Sequence, residues 1–265
     1  MKIKSIVLYV GIVIFSSCQK VIDVNLNSAN PKLVVEANLE SKENNCLIKL
    51  SKTVNFNESN VFPSEQNALV VLSNLNGNKD TLLESMPGVY FKNMNSVMNN
   101  SDYFLTIKTL DGIVYESSST MKTAVKIDTV LVVKTVLGIR GDVNYSLQVQ
   151  FKDDVSETNY YQFNVYLNGI KSSNGRVRSD ELFNGKQAKI TVRLDNSKDI
   201  KSGDIYTLEV VNIDKGVYAY YFGLNQLGNG PNGSATPANP KSNISGGCLG
   251  YFSANASALY SVVIP

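Results

Sequence analysis

Acidic residues gather at two places in the chain, Asp153-Asp154 with Glu157 and Asp180-Glu181. The first group offers oxygen ligands for calcium, but it has no glycine at the sharp turn an EF-hand loop needs. The same residues suit an acidic, solvated hairpin tip. Asp180 and Glu181 are adjacent, so they cannot supply the separation across a cleft that a glycosidase pair requires, and they are expected at the surface. Glycines at 228, 230 and 233 suggest a phosphate cradle, yet a dinucleotide fingerprint needs a strand before it and a helix after it, and here the order is reversed. Walker spacing is absent because Lys241 does not follow a glycine. The chain contains no histidine, which removes Ser-His-Asp triads, Cys-His dyads and histidine-ligated zinc or haem. Cys46 and Cys248 likewise lack an imidazole to generate a thiolate. They form instead a candidate disulfide in an oxidising compartment, with buried free thiols as the alternative. Nothing in these groups calls for a metal or a cofactor.

Aromatic and amide side chains are the remaining candidates. Among 14 tyrosines, Tyr160-Tyr161 and Tyr218, Tyr220 and Tyr221 have faces that stack on sugars or aromatic ligands, and they equally suit the edges of β-sheets with the hydroxyl in water. Near the C-terminus, Asn243-Ile244, Gly246, Gly247 and Gly250 give backbone freedom beside Tyr251-Phe252. Tyr218, Tyr221, Asn243, Gly246, Gly247, Tyr251 and Phe252 are therefore the candidate ligand- or partner-binding set. A tight turn feeding the last strand explains the same glycines.

These residues must be carried by strands. Short runs with period-two alternation, broken by Asn, Gly, Asp and Ser, occur at 33–39, 46–50, 68–72, 89–91, 103–109 and 113–118. A second series occupies 127–134, 145–151, 160–167, 188–194, 205–213 and 259–264. Asn76-Gly77, Asp111-Gly112 and Asn168-Gly169 are tight-hairpin dipeptides. The pattern predicts an all-β protein of two tandem antiparallel β-sandwich domains, immunoglobulin- or fibronectin-like, over 32–125 and 126–265. One segment departs from it. Val217, Tyr220, Tyr221, Leu224 and Leu227 fall at helical spacing, with Asp214 as N-cap and Gly228 as stop, which predicts a short helix over 214–227. A long loop over 228–250 follows.

The N-terminus gives the location. Two lysines, an apolar run from Ile6 to Phe15 and then Ser16-Ser17-Cys18 have the layout of a secretory signal over 1–17. The apolar run is about half the roughly 20 residues a spanning helix needs. Phe15-Ser16-Ser17-Cys18 resembles the lipobox of bacterial lipoproteins, in which the thiol is lipidated and the chain is cut just before it. Phe15 and Ser17 replace the commoner Leu and Gly or Ala. Residues 18–31 then form the lipidated cysteine and its tether, with a first strand at 21–26. Gln19-Lys20 replace the aspartate that retains lipoproteins at the inner membrane, so the outer membrane is expected. From Cys18 onward, bases and acids balance, which argues against nucleic acid as a partner.

Val21-Ile22-Asp23-Val24 with 31–37 (PKLVVEA), 179–186 (SDELFNGK) and 237–252 (PANPKSNISGGCLGYF) resembles a Bacteroidota lipoprotein family catalogued as domain of unknown function 4249. Cys248 stands where that family is expected to have a small or aliphatic residue. The resemblance carries over no catalytic residue, since the family has no established activity. Its members are commonly encoded beside TonB-dependent receptors. That implies a non-enzymatic, lipid-anchored outer-membrane protein, accessory to a TonB-dependent β-barrel in nutrient uptake, with the region from Tyr218 to Phe252 as its working surface. A structural or adhesive surface protein, and a carboxylate-based hydrolase, are the alternatives.

Overall fold

The computed structural model describes residues 30–55, 58–137, 142–172, 175–194, 200–227 and 239–265. Cys18, the strand expected at 21–26 and the 228–238 part of the long loop lie outside them.

In the first half of the chain, alternation becomes strands with one apolar edge. Leu33–Glu40 (β1) turns Leu33, Val35, Ala37 and Leu39 inward, and Asn45–Lys52 (β2) opposes them with Cys46, Ile48 and Leu50. Leu69–Asn74 (β3), Lys79–Met86 (β4), Val89–Asn93 (β5), Ser101–Lys108 (β6) and Val114–Met121 (β7) close around the same core. The second half holds Ile127–Leu137 (β8), Asp142–Lys152 (β9), Tyr160–Leu167 (β10), Ile170–Lys171 (β11), Arg176–Ser179 (β12), Gln187–Arg193 (β13) and Ile205–Ile213 (β14). Lys215–Leu227 (α1) and Leu249–Val263 (β15) end the described chain. The described residues are thus mostly strand, as the alternation predicts, with one helix among them. Asn168 and Gly169, with φ of 48° and 83°, turn β10 back into β11.

Two sheets form. One runs β11-β10-β14-β15-β1-β2-β5-β4-β3-β6-β7, with β12 also on β10; the other is β13-β9-β8. The smaller sheet shares a second core with β10 and β14, built on Leu147, Val149, Phe151, Phe163, Leu208 and Val210.

β15 joins the two regions. Its first part pairs in parallel with β1, from Val34 opposite Leu249 to Glu40 opposite Asn255. Its second part pairs antiparallel with β14, from Asn212 opposite Ala256 to Ile205 opposite Val263. Phe252, Ala254 and Ala256 accordingly sit in the first core, whereas Tyr260, Val262 and Ile264 pack on the second. The last strand was expected only at 259–264 and only within the second half. It begins ten residues earlier and threads both halves, so the large sheet runs unbroken past position 125. Gly250 makes the parallel pairing feasible. Its φ is +99°, and a Cβ there would lie 1.9 Å from the Val35 carbonyl oxygen.

Candidate functional site

The helix is set in place from its first residue. The Asp214 carboxylate accepts the Val217 N–H at 2.9 Å, the N-cap bond the sequence predicts. Its other oxygen accepts the Ser119 hydroxyl, and Ser119 Oγ accepts the Ala254 N–H at 2.8 Å. One carboxylate thereby links α1, β7 and β15. Val217 packs with Val177, Val211 and Ile213 on the face of β14 opposite the second core.

The candidate residues gather around this helix in two groups. Tyr218 lies against Tyr160 and Phe222, with ring centroids 4.7 and 5.7 Å away. Tyr251 receives Tyr220 at 5.0 Å and Tyr221 at 5.1 Å, and its hydroxyl accepts Asn38 Nδ2 at 3.2 Å. Burial pushes the phenols of Tyr220, Tyr221 and Tyr251 above their usual range, so all three stay neutral donors at physiological pH. Tyr218 and Tyr221 are half-buried and Phe222 is exposed, which leaves aromatic edges at the surface.

The rest of the set is built inward. Asn243 acts as a surrogate strand: its Nδ2 donates to the Phe252 carbonyl at 2.8 Å and its Oδ1 accepts the Phe252 N–H at 2.9 Å. Phe252 itself is fully buried in the first core. Gly246 has φ +80° and a Cβ there would strike the Tyr115 ring at 2.7 Å; Gly247 follows with φ +76°. Together they form the turn into β15, and Ser245 bonds both backbone groups of Glu116 on β7. Tyr218, Tyr221 and Tyr251 are brought together on the helix side, while Asn243, Gly246, Gly247 and Phe252 serve the turn and the core.

Cys46 and Cys248 are both free and buried. Cys46 opposes Leu39 at one end of β1, whereas Cys248 precedes the Leu249–Val34 pair at the other. About six residues of strand, on the order of 20 Å, separate them, far beyond disulfide reach. Burial pushes the Cys46 thiol up to about 12, leaving it inert.

The acidic groups are also committed to the fold. Asp153 and Asp180, expected at a solvated tip and at the surface, are both buried. Asp153 accepts the Tyr161 hydroxyl and the Gly185 N–H; Asp180 accepts the Asn159 N–H at 2.7 Å. Sequence spacing does not reveal this, because the partners are 8 to 32 residues away. Burial holds the Asp180 carboxyl above its usual range. Glu157 pairs with Lys122, and Asp154 accepts the Ser156 N–H. Among the described residues no three acidic or thiol side chains converge as a metal site.

A cleft of about 690 Å³ opens where the two halves meet. Asp102, Thr120 and Lys122 line it from the first half, and Asp154, Glu157 and Asn159 from the β9–β10 connection. Asn212 forms part of its wall; Nδ2 donates to the Thr123 carbonyl at 3.2 Å and Oδ1 is buried without a partner. The lining is polar and both charge signs are present, chemistry suited to a small hydroxylated or zwitterionic molecule. The sequence offers no signal for this cleft, since its walls come from segments some 20 to 110 residues apart.

The described residues thus form a mostly β structure with one docked helix and a cleft at the seam. The family described as Domain of unknown function (DUF4249) matches residues 19–260, and the chain belongs to it. No curated protein matches the chain.

Proposed function

We propose that the protein is a non-enzymatic lipoprotein of a Bacteroidota outer membrane, acylated at Cys18 and accessory to a TonB-dependent β-barrel receptor in nutrient capture. The observation that carries the reading is the leader, with its lysines, short apolar run and Ser16-Ser17-Cys18 directly ahead of the family-matched region. Two or three acyl chains anchor a protein stably without a spanning helix. Among the described residues no helix is long and apolar enough to cross a membrane, which is compatible with such an anchor. The two cores, each enclosed by strands, support an architecture of two sandwich-like halves resembling immunoglobulin or fibronectin modules. The half-buried tyrosines of α1 supply an amphipathic contact surface of the kind enriched where proteins meet.

Mild detergent extraction and affinity capture from native membranes test the reading. The protein should co-purify with a β-barrel receptor, and Tyr218→Ala together with Tyr221→Ala should lower the recovered receptor several-fold. Recovery as a lone monomer in every detergent would count against the receptor role, and retention on host matrix without any receptor would favour an adhesive role.

A further inference from the structure

Strand directions place one set of exposed apolar side chains at the pole where the chain enters the fold. β1 begins there at Leu33, just after Lys32 exchanges hydrogen bonds with Thr53. β2 and β6 end at the same pole, as does β4, while β3, β5 and β7 begin there, because each pair between neighbours is antiparallel. The loop after β2 returns beside it, with the Lys52 N–H on the Pro63 carbonyl, so Val61 and Phe62 lie beyond the strand end. Val61 and Phe62 are 73% and 57% exposed, Met86 beside the β4–β5 turn 62%, and Leu110 and Ile113 in the β6–β7 turn 73% and 47%. Leu69 at the start of β3 is 52% exposed. Asp111 lies between Leu110 and Ile113, and its carboxylate is occupied by the Thr109 hydroxyl at 2.5 Å and the Ile113 N–H.

Three separate connections thus present large apolar side chains in one direction, next to the point of entry. Only eleven residues lie between Cys18 and Asn30, a reach of at most roughly 40 Å. We infer that this pole docks on the lipid surface itself, with Val61, Phe62, Leu110 and Ile113 entering the interfacial layer of the bilayer and the second half facing away. The inference rests on the anchor proposed above and adds an orientation to it. Apolar loop tips of this kind gain free energy by leaving water for the acyl boundary, and an acyl chain at the same end removes most of the entropic cost of approach.

The chain has no tryptophan, so one substitution creates a single reporter. The acylated full-length protein carrying Phe62→Trp or Leu110→Trp is reconstituted into phosphatidylethanolamine–phosphatidylglycerol vesicles with and without brominated acyl chains. Leu75→Trp in the β3–β4 turn and Ile170→Trp in the β10–β11 hairpin are the controls, 67% and 75% exposed at positions away from this pole. The expected result is a blue-shifted emission that loses most of its intensity to brominated lipid for Phe62→Trp and Leu110→Trp, and neither effect for the controls. Flotation with the vesicles but equal quenching at all four positions overturns the docking and leaves the anchor intact. A blue shift at position 62 without quenching means that protein covers the pole, which also overturns it. Failure to float overturns both the anchor and the docking.

Discussion

At the residue scale, a few short contacts decide whether the chain closes. Gly250 is the most constrained, since a Cβ would meet the Val35 carbonyl while φ stays at +99°. Gly250→Ala is expected to destabilise the protein by about 3 kcal/mol or more. Gly77→Ala, equally left-handed but in open space, should cost only about 1 kcal/mol. Urea denaturation of the two variants measures the difference. Glu84 gives a pH signature. Hydrogen bonds from the Asn67 and Gly88 N–H groups hold its carboxyl below the ordinary 4.5. A depressed carboxyl stabilises the fold above its unfolded pKa, and that contribution disappears as pH falls through the lower folded value. Glu84→Gln should therefore be less stable than the parent at neutral pH and converge with it in acid, read from midpoints between pH 7 and 2. Parallel curves would contradict the assignment.

At the element scale, α1 depends on Ser119. Removing that hydroxyl leaves a part-buried Asp214 oxygen and the Ala254 N–H without their partner, so Ser119→Ala should cost about 2 kcal/mol. It should also speed amide exchange in the first turn of α1, at Val217 and Tyr218, more than in β6; uniform acceleration would argue that the link is not specific to the helix. Elements with one wet face were readable in the sequence. In β6, Tyr103, Leu105 and Ile107 are buried while Phe104 and Lys108 are not, and the alternation shows it directly. The helix was equally readable from its cap and spacing. β4 was not, because Lys79-Asp80-Thr81 and Glu84-Ser85 resemble a polar loop, with Leu82 its one buried side chain. The first part of β15 was missed for the opposite reason. Residues 250–256 are buried on both faces, so no alternation remains, and Gly250, Ser253 and Asn255 carry loop-like chemistry. The Tyr221–Tyr251 contact and the Asn243 clamp depend on that strand and were hidden with it.

At the scale of the whole molecule, β15 pairs with strands of both halves, so the two are expected to unfold as one cooperative unit. Phe252→Ala opens a cavity in the first core and Leu208→Ala in the second, each at a cost of about 3 to 4 kcal/mol. Either variant should lower a single transition, coincident by far-UV and tyrosine near-UV signals; two separate transitions would mean that the strand does not couple the cores. If the proposed anchor holds, the tether enters at the end of β1 that begins with Leu33. Everything proposed about location depends on the state of Cys18. Mass spectrometry of the mature protein extracted from outer membranes tests this directly: the account predicts an N-terminal peptide beginning at Cys18 and carrying acyl chains. A mature chain that starts elsewhere, or an unmodified thiol at that position, would contradict it.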